Sequence, residues 1–169
     1  MSAGRFGKVT VALVAIVLAG GMMSSGTAAQ APMKKAAQAK VTKAAFAATH
    51  KVAIQVNQND KAVMDLALNN AKNVIDHYKA KGETVAVEIV TYGPGLHMLR
   101  ADTSPVKERI APMALENSNL AFIACGNTQA NQSKAEGKPV TLLSEAKVMP
   151  SGVVRLIELQ KQGYAYIRP

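Results

Sequence analysis

From His50 onward the apolar residues fall into two rhythms that take turns along the chain. Residues 51–56 form a short β-branched run ending in the polar cluster Asn57-Gln58-Asn59-Asp60, which predicts a first strand and its turn. Asp60 can cap a helix whose apolar positions Val63, Leu66, Ala67, Ala71, Val74, Ile75 and Tyr78 recur at threes and fours, closing at Gly82. Residues 84–92, rich in Val and Ile, read as a second strand that stops at Gly93-Pro94-Gly95. A short helical stretch at residues 96–99 follows, then a turn capped by Ser104 with Pro105 at its first position. The near-continuous apolar run of residues 120–124 predicts a third strand covered on both faces.

Beyond it, Asn127 or Thr128 opens a polar helix to about Glu136, broken by Gly137-Lys138-Pro139. Residues 146–149 form a weak fourth strand. Ser151 caps a helix with Val153, Val154, Leu156, Ile157 and Leu159, ended by Gly163, and residues 164–167 alternate as a closing strand. Strand and helix repeated with short links predict an α/β fold, a mainly parallel sheet with helices on both faces. There is no internal repeat.

Before this pattern begins, Arg5 and Lys8 precede an apolar run over residues 9–23 and a small-residue stretch, Ser24 to Ala31. That three-part layout predicts a secretory signal peptide over residues 1–29, cut after Ala29, and a soluble periplasmic product. The run is short for a spanning helix, so the membrane is expected to matter only before cleavage. Residues 30–49, with Lys34, Lys35, Lys40 and Lys43 and no acid, read as an Ala/Lys-rich leader or linker, leaving residues 50–169 as one domain.

Charge then changes the picture less than its total suggests. The 169-residue chain carries a net +9, but residues 1–51 hold seven of its 20 Lys and Arg and no acid. A phosphate-binding surface needs clustered cations on the folded part, and single-strand binders add aromatic platforms. With five aromatics from residue 52 on and no Trp, nucleic acid is excluded as the expected partner.

Candidate chemistry converges on one end of the sheet. In open parallel sheets the working crevice lies beyond the carboxyl ends of the strands, where the order reverses. The segments reaching it are Asn57 to Asp60, Gly93-Pro94-Gly95, Cys125-Gly126-Asn127-Thr128 and Pro150-Ser151-Gly152. Gly93, Gly95, Gly126, Asn127, Thr128, Ser151 and Gly152 are thus the candidate binding residues. Cys125 is the chain's one cysteine, so in an oxidising compartment it has no partner of its own. It sits just before a helix start, whose N–H groups and dipole favour a thiolate, while Gly126 leaves the sulfur uncrowded. The alternative is a small buried hydrophobe. His97, just past the Gly93-Pro94-Gly95 turn, is the one candidate for an acid, base or thiolate partner.

Other chemistries lack their spacings. Gly93-Pro94-Gly95 is neither a dinucleotide fingerprint nor a P-loop, so no cofactor is expected. His50, His77 and Cys125 show no zinc spacing, and no metal is expected. Ser151 has no nucleophile-elbow setting. Arg155 is expected to pair with Glu158 one turn on, and Asp60 and Asp65 to serve helix capping and first-turn charge.

Five segments in order carry a resemblance: residues 51–56, residues 68–73 (Leu-Asn-Asn-Ala-Lys-Asn), Tyr92-Gly93-Pro94-Gly95-Leu96, Ala124-Cys125-Gly126-Asn127-Thr128, and residues 150–160 opening Pro-Ser-Gly-Val-Val-Arg. Together they resemble the DsrE/DsrF-like family over residues 50–169. The resemblance implies a flavodoxin-like three-layer α/β/α sandwich with a five-stranded parallel sheet, assembled as a homo-oligomer, trimer or hexamer. It also implies sulfur relay, with a persulfide carried at Cys125 and exchanged with a donor or acceptor protein or a small sulfur compound. An export signal would make that donor and acceptor different from those of cytoplasmic relay members. Exposed apolar segments at residues 110–115 and 164–167 point independently to self-association. The alternative is a non-catalytic binding or scaffold oligomer with an inert Cys125.

Overall fold

A computed structural model describes residues 48–169. The expected signal peptide, residues 1–29, and nearly all of the 30–49 leader lie outside the described residues. Of the leader, Ala48 is buried with the domain.

The elements follow in the order β1 (His50–Val56), α1 (Lys61–Ala80), β2 (Val85–Thr91), a 3₁₀ helix (Gly93–Leu99), α2 (Lys107–Glu116), β3 (Leu120–Cys125), α3 (Gly126–Glu136), β4 (Ala146–Met149), α4 (Gly152–Lys161) and β5 (Ala165–Ile167). The five strands lie in the order β4-β3-β2-β1-β5, every neighbouring pair parallel. Steps from β1 to β4 run one way across the sheet, and right-handed crossovers therefore send their connections to one face. The return from β4 to the far side of β1 sends α4 to the other face.

Packing follows that geometry. On the first face Val52, Ile54, Val56, Val87, Ile89, Leu120 and Phe122 meet α1, the 3₁₀ helix and Ile110 of α2. On the second face Ala53, Ala86, Val90, Ala121 and Ile123 meet Leu156 and Leu159 of α4. This is the expected three-layer α/β/α sandwich around a five-stranded parallel sheet. Loops leaving neighbouring strands part to opposite faces between β3 and β4, which makes that junction the switch point of the sheet.

Asp60 caps α1, its side chain accepting from the Ala62 N–H at 2.7 Å, and Ser151 caps α4 through the Val154 N–H at 3.4 Å. Other details differ from the pattern reading. Leu66 of α1 is 46% exposed, while Met64 and Leu68 are fully buried in its place, so the buried stripe is rotated from the expected one. Val153, Val154 and Ile157 of α4 also stay exposed, leaving Leu156 and Leu159 to face the sheet. Helix α2 was not expected, because Pro112 lies inside it and only one of its side chains, Ile110, is buried. Ser104 does cap the expected turn at Pro105. Its hydroxyl donates to the Met98 carbonyl at 2.5 Å and accepts from the Val106 N–H, and α2 starts at Lys107. No helix among the described residues is long and apolar enough to cross a membrane.

Candidate functional site

Cys125 is the last residue of β3, at the switch point, with its backbone paired to Met149 of β4. Strand alternation turns its side chain to the second face, as it does Ile123 two residues before. Helix α3 begins at the next residue and departs over the first face, whereas α4 begins beside it and departs over the second. Two helix starts therefore converge on one sulfur. This arrangement follows from the single reversal in strand order.

Glycines permit the convergence. A side chain on Gly126 would press within 3.2 Å of the Met149 carbonyl oxygen and the Val148 side chain. The Asn127 N–H donates to the Pro150 carbonyl at 3.1 Å, sewing the start of α3 to the end of β4. A Cβ on Gly152 would lie 3.0 Å from that of Tyr92 and 3.3 Å from that of Cys125. Gly95 closes the floor on the first face: a Cβ there would overlap the Val56 carbonyl oxygen at 2.3 Å. Thr128 links the loops, its hydroxyl accepting from the Gly93 N–H at 3.0 Å, and Gln132 donates to the Gly93 carbonyl at 3.3 Å.

The thiol answers to opposing influences. Burial pushes it up, since Cys125 is only 5% exposed. The Thr128 hydroxyl and the backbone N–H groups of Gly152, Thr128 and Asn127 together outweigh burial and hold the thiol below its ordinary value. Hydrogen bonds to the anionic form are the physical cause. The arrangement can stabilise a thiolate, or the anion that a sulfur added to it would carry.

Cys125, Gly126, Asn127, Thr128, Gly152 and, through Thr128, Gly93 are brought together. Ser151 contributes its hydroxyl to the α4 cap rather than to the sulfur. His97 is half-buried in the 3₁₀ helix, and its ring is not among the groups that act on the thiol. Gly95 acts on the loop's path. Among the described residues no group of three His, Cys, Asp or Glu side chains is placed to hold a metal.

Two contributors, Tyr92 and the Glu88–Arg155 pair, were not assigned to the site from the sequence. Tyr92 directly follows β2 as Cys125 ends β3, each preceding a glycine, and that repeated position is the signal that could have found it. Arg155 was expected on Glu158; it does approach that carboxylate at 3.6 Å, but its main partner is Glu88 in the middle of β2. Arg155 donates from Nε to Oε2 at 2.9 Å and from Nη2 to Oε1 at 2.5 Å. Glu88 is 6% exposed, so this forked pair anchors α4 to the sheet three residues beyond Gly152.

No family model matches the chain, and no curated protein matches it. Among solved structures, the protein of unknown function MTH1491 from Methanobacterium thermoautotrophicum is similar, with a TM-score of 0.59 and 30% sequence identity. The likeness covers 71% of this chain and 99% of that one. With the same fold and that identity over nearly the whole of its relative, this chain belongs to the family of MTH1491.

Proposed function

We propose that the protein is a DsrE/DsrF-like, homo-oligomeric carrier of sulfane sulfur that uses Cys125 as acceptor, exported to the periplasm by the signal peptide expected over residues 1–29. The observation that carries this is the thiol held below its ordinary value by donors from two helix starts. A carrier needs a thiolate at neutral pH, because only the thiolate attacks sulfur. It also needs stabilisation of the persulfide anion, which the same donors can supply.

In the loading step the Cys125 thiolate attacks the outer sulfur of a donor persulfide. A Cys125 S–S bond forms, the donor's S–S bond breaks, and its electron pair leaves on the donor thiolate. The outer sulfur moves between thiols without net oxidation, so no oxidant or cofactor is required. Discharge to an acceptor thiolate is the same exchange in reverse.

One observation favours a second reading, the binding or scaffold oligomer: Cys125 is 5% exposed. Iodoacetamide at neutral pH separates the two. A carrier shows alkylation of native Cys125 faster than a buried control thiol, and intact mass gains sulfur after polysulfide treatment. Cys125→Ser abolishes the gain and keeps the fold. Slow alkylation together with no added sulfur from any donor tried would leave the scaffold reading.

A further inference from the structure

Along the carboxyl edge of the sheet the register sets Tyr92 level with Cys125, one residue beyond the Thr91–Ala124 pair. Gly152 lies across both, and its N–H is one of the donors that hold the thiol below its ordinary value. A hydrogen bond weakens steeply as its distance and angle drift. The first turn of α4 therefore has to rest at one height above the sheet.

Few side chains hold that turn down. Gly152 has none, Val153 and Val154 are 48% and 51% exposed, and the Ser151 hydroxyl accepts from the Val154 N–H at 3.4 Å. Arg155 is the first side chain of α4 to grip the sheet, and Leu156 and Leu159 follow it. Its main-chain N–H donates to the Ser151 carbonyl at 3.0 Å, closing the turn around Gly152. Its guanidinium forks onto Glu88, which lies on β2 four residues below Tyr92 and on the same face. Two parallel bonds fix an angle as well as a distance.

We propose that Glu88 and Arg155 are positioning residues for the sulfur: their fork seats the first turn of α4 so that the Gly152 N–H is aimed at Cys125. The proposal rests on the carrier reading and adds how its site is held ready. The ionisable side chains turned to this face around Cys125 are Tyr92 and Glu88 from the β2 line, Lys147 from β4 and Arg155 from α4. Helix α3 presents the uncharged Asn127 and Thr128. Among these groups Glu88 and Arg155 are opposite in sign, which separates positioning from plain charge. As a bare anion Glu88 would disfavour the thiolate, and as a bare cation Arg155 would favour it. As a fork, both favour it.

The pH profile of iodoacetamide alkylation at Cys125 tests this, with thermal unfolding to show that each variant is folded. Glu88→Gln and Arg155→Gln should both raise the midpoint, and at a pH below it each should slow alkylation by about three- to tenfold. Glu158→Gln, which removes the other carboxylate near Arg155, at 3.6 Å, should leave the profile in place. Where a glutamine variant fails to fold, Arg155→Lys decides, because it keeps the charge and loses the fork. A raised midpoint there supports the positioning role, and an unchanged one overturns it. Opposite shifts in the two glutamine variants, no shift in either, or an equal shift in Glu158→Gln overturns the positioning role while the carrier reading stands. A wild-type midpoint at the ordinary thiol value overturns both.

Discussion

Thr128 serves two partners with one hydroxyl, the Gly93 N–H and the Cys125 sulfur. Thr128→Val keeps the shape and removes both bonds. A hydrogen bond to a charged group is worth about 1.5–3 kcal/mol. Because it favours the thiolate, its loss moves the thiol upward. The pH dependence of iodoacetamide alkylation should show the midpoint rising in Thr128→Val and staying near wild type in Thr128→Ser. Gly152→Ala tests the same sulfur through space, since the added methyl must displace the Tyr92 ring or Cys125. We expect a loss of about 1–3 kcal/mol in urea unfolding. A neutral result would mean that the start of α4 moves aside freely.

At the scale of elements, the Glu88–Arg155 fork fixes α4 on the sheet. Removing one partner of a buried pair leaves the other uncompensated, at a cost of about 3–5 kcal/mol. Glu88→Ala should approach that figure in denaturant unfolding, and Glu88→Leu with Arg155→Met should recover most of it. A double variant as unstable as the single would show that lost packing, rather than the stranded guanidinium, is responsible. This pair also marks the limit of what the sequence disclosed. The strands were legible because short apolar runs such as residues 51–56 and 120–124 stop at glycine or polar clusters. The caps Asp60 and Ser151 were legible because their chemistry is local. Glu88 is the one carboxylate in a strand of buried neighbours, and its partner lies 67 residues away, so no spacing rule reaches it. The outward Val153, Val154 and Ile157 were misread for the opposite reason: apolar identity alone does not say which side of a helix meets a sheet. Of the site, the loops bearing Cys125 and Gly152 could be placed by strand-end reasoning. The phenol beside them required the register.

For the molecule as a whole, two predictions concern what surrounds the fold. Arg100 holds the Asp102 and Glu136 carboxyls below their ordinary values, and Lys61 then Arg109 do the same for Asp65. Folded carboxyls depressed in this way contribute stability that is present above the unfolded carboxylate range and lost progressively as pH falls from that range through the depressed folded values. Thermal unfolding should therefore be flat near neutrality and decline below about pH 4–5. A melting temperature that rises on acidification would contradict these pairings. The outward stripe on α4, with Val153 48%, Val154 51% and Ile157 48% exposed, supplies the apolar surface that self-association needs. Light scattering should find an oligomer, and Ile157→Asp should reduce its mass toward that of one chain. A wild-type monomer at micromolar concentration would end the oligomer proposal.

The strand order has a consequence for the history of each molecule. Strands β1 to β4 can pair in the order in which the ribosome delivers them, since each new strand joins the edge left by the last. The second face cannot be finished in that way. Its cover is α4, and the strand that flanks β1 is β5, both of which follow β4 in the chain. Until α4 has formed, Ala53, Ala86, Val90, Ala121 and Ile123 lack Leu156 and Leu159, and Glu88 lacks Arg155. Nor does the sulfur have its Gly152 donor. The growing chain thus presents a half-covered sheet, open to a holding chaperone, and the set of donors around the sulfur is complete only once α4 has docked.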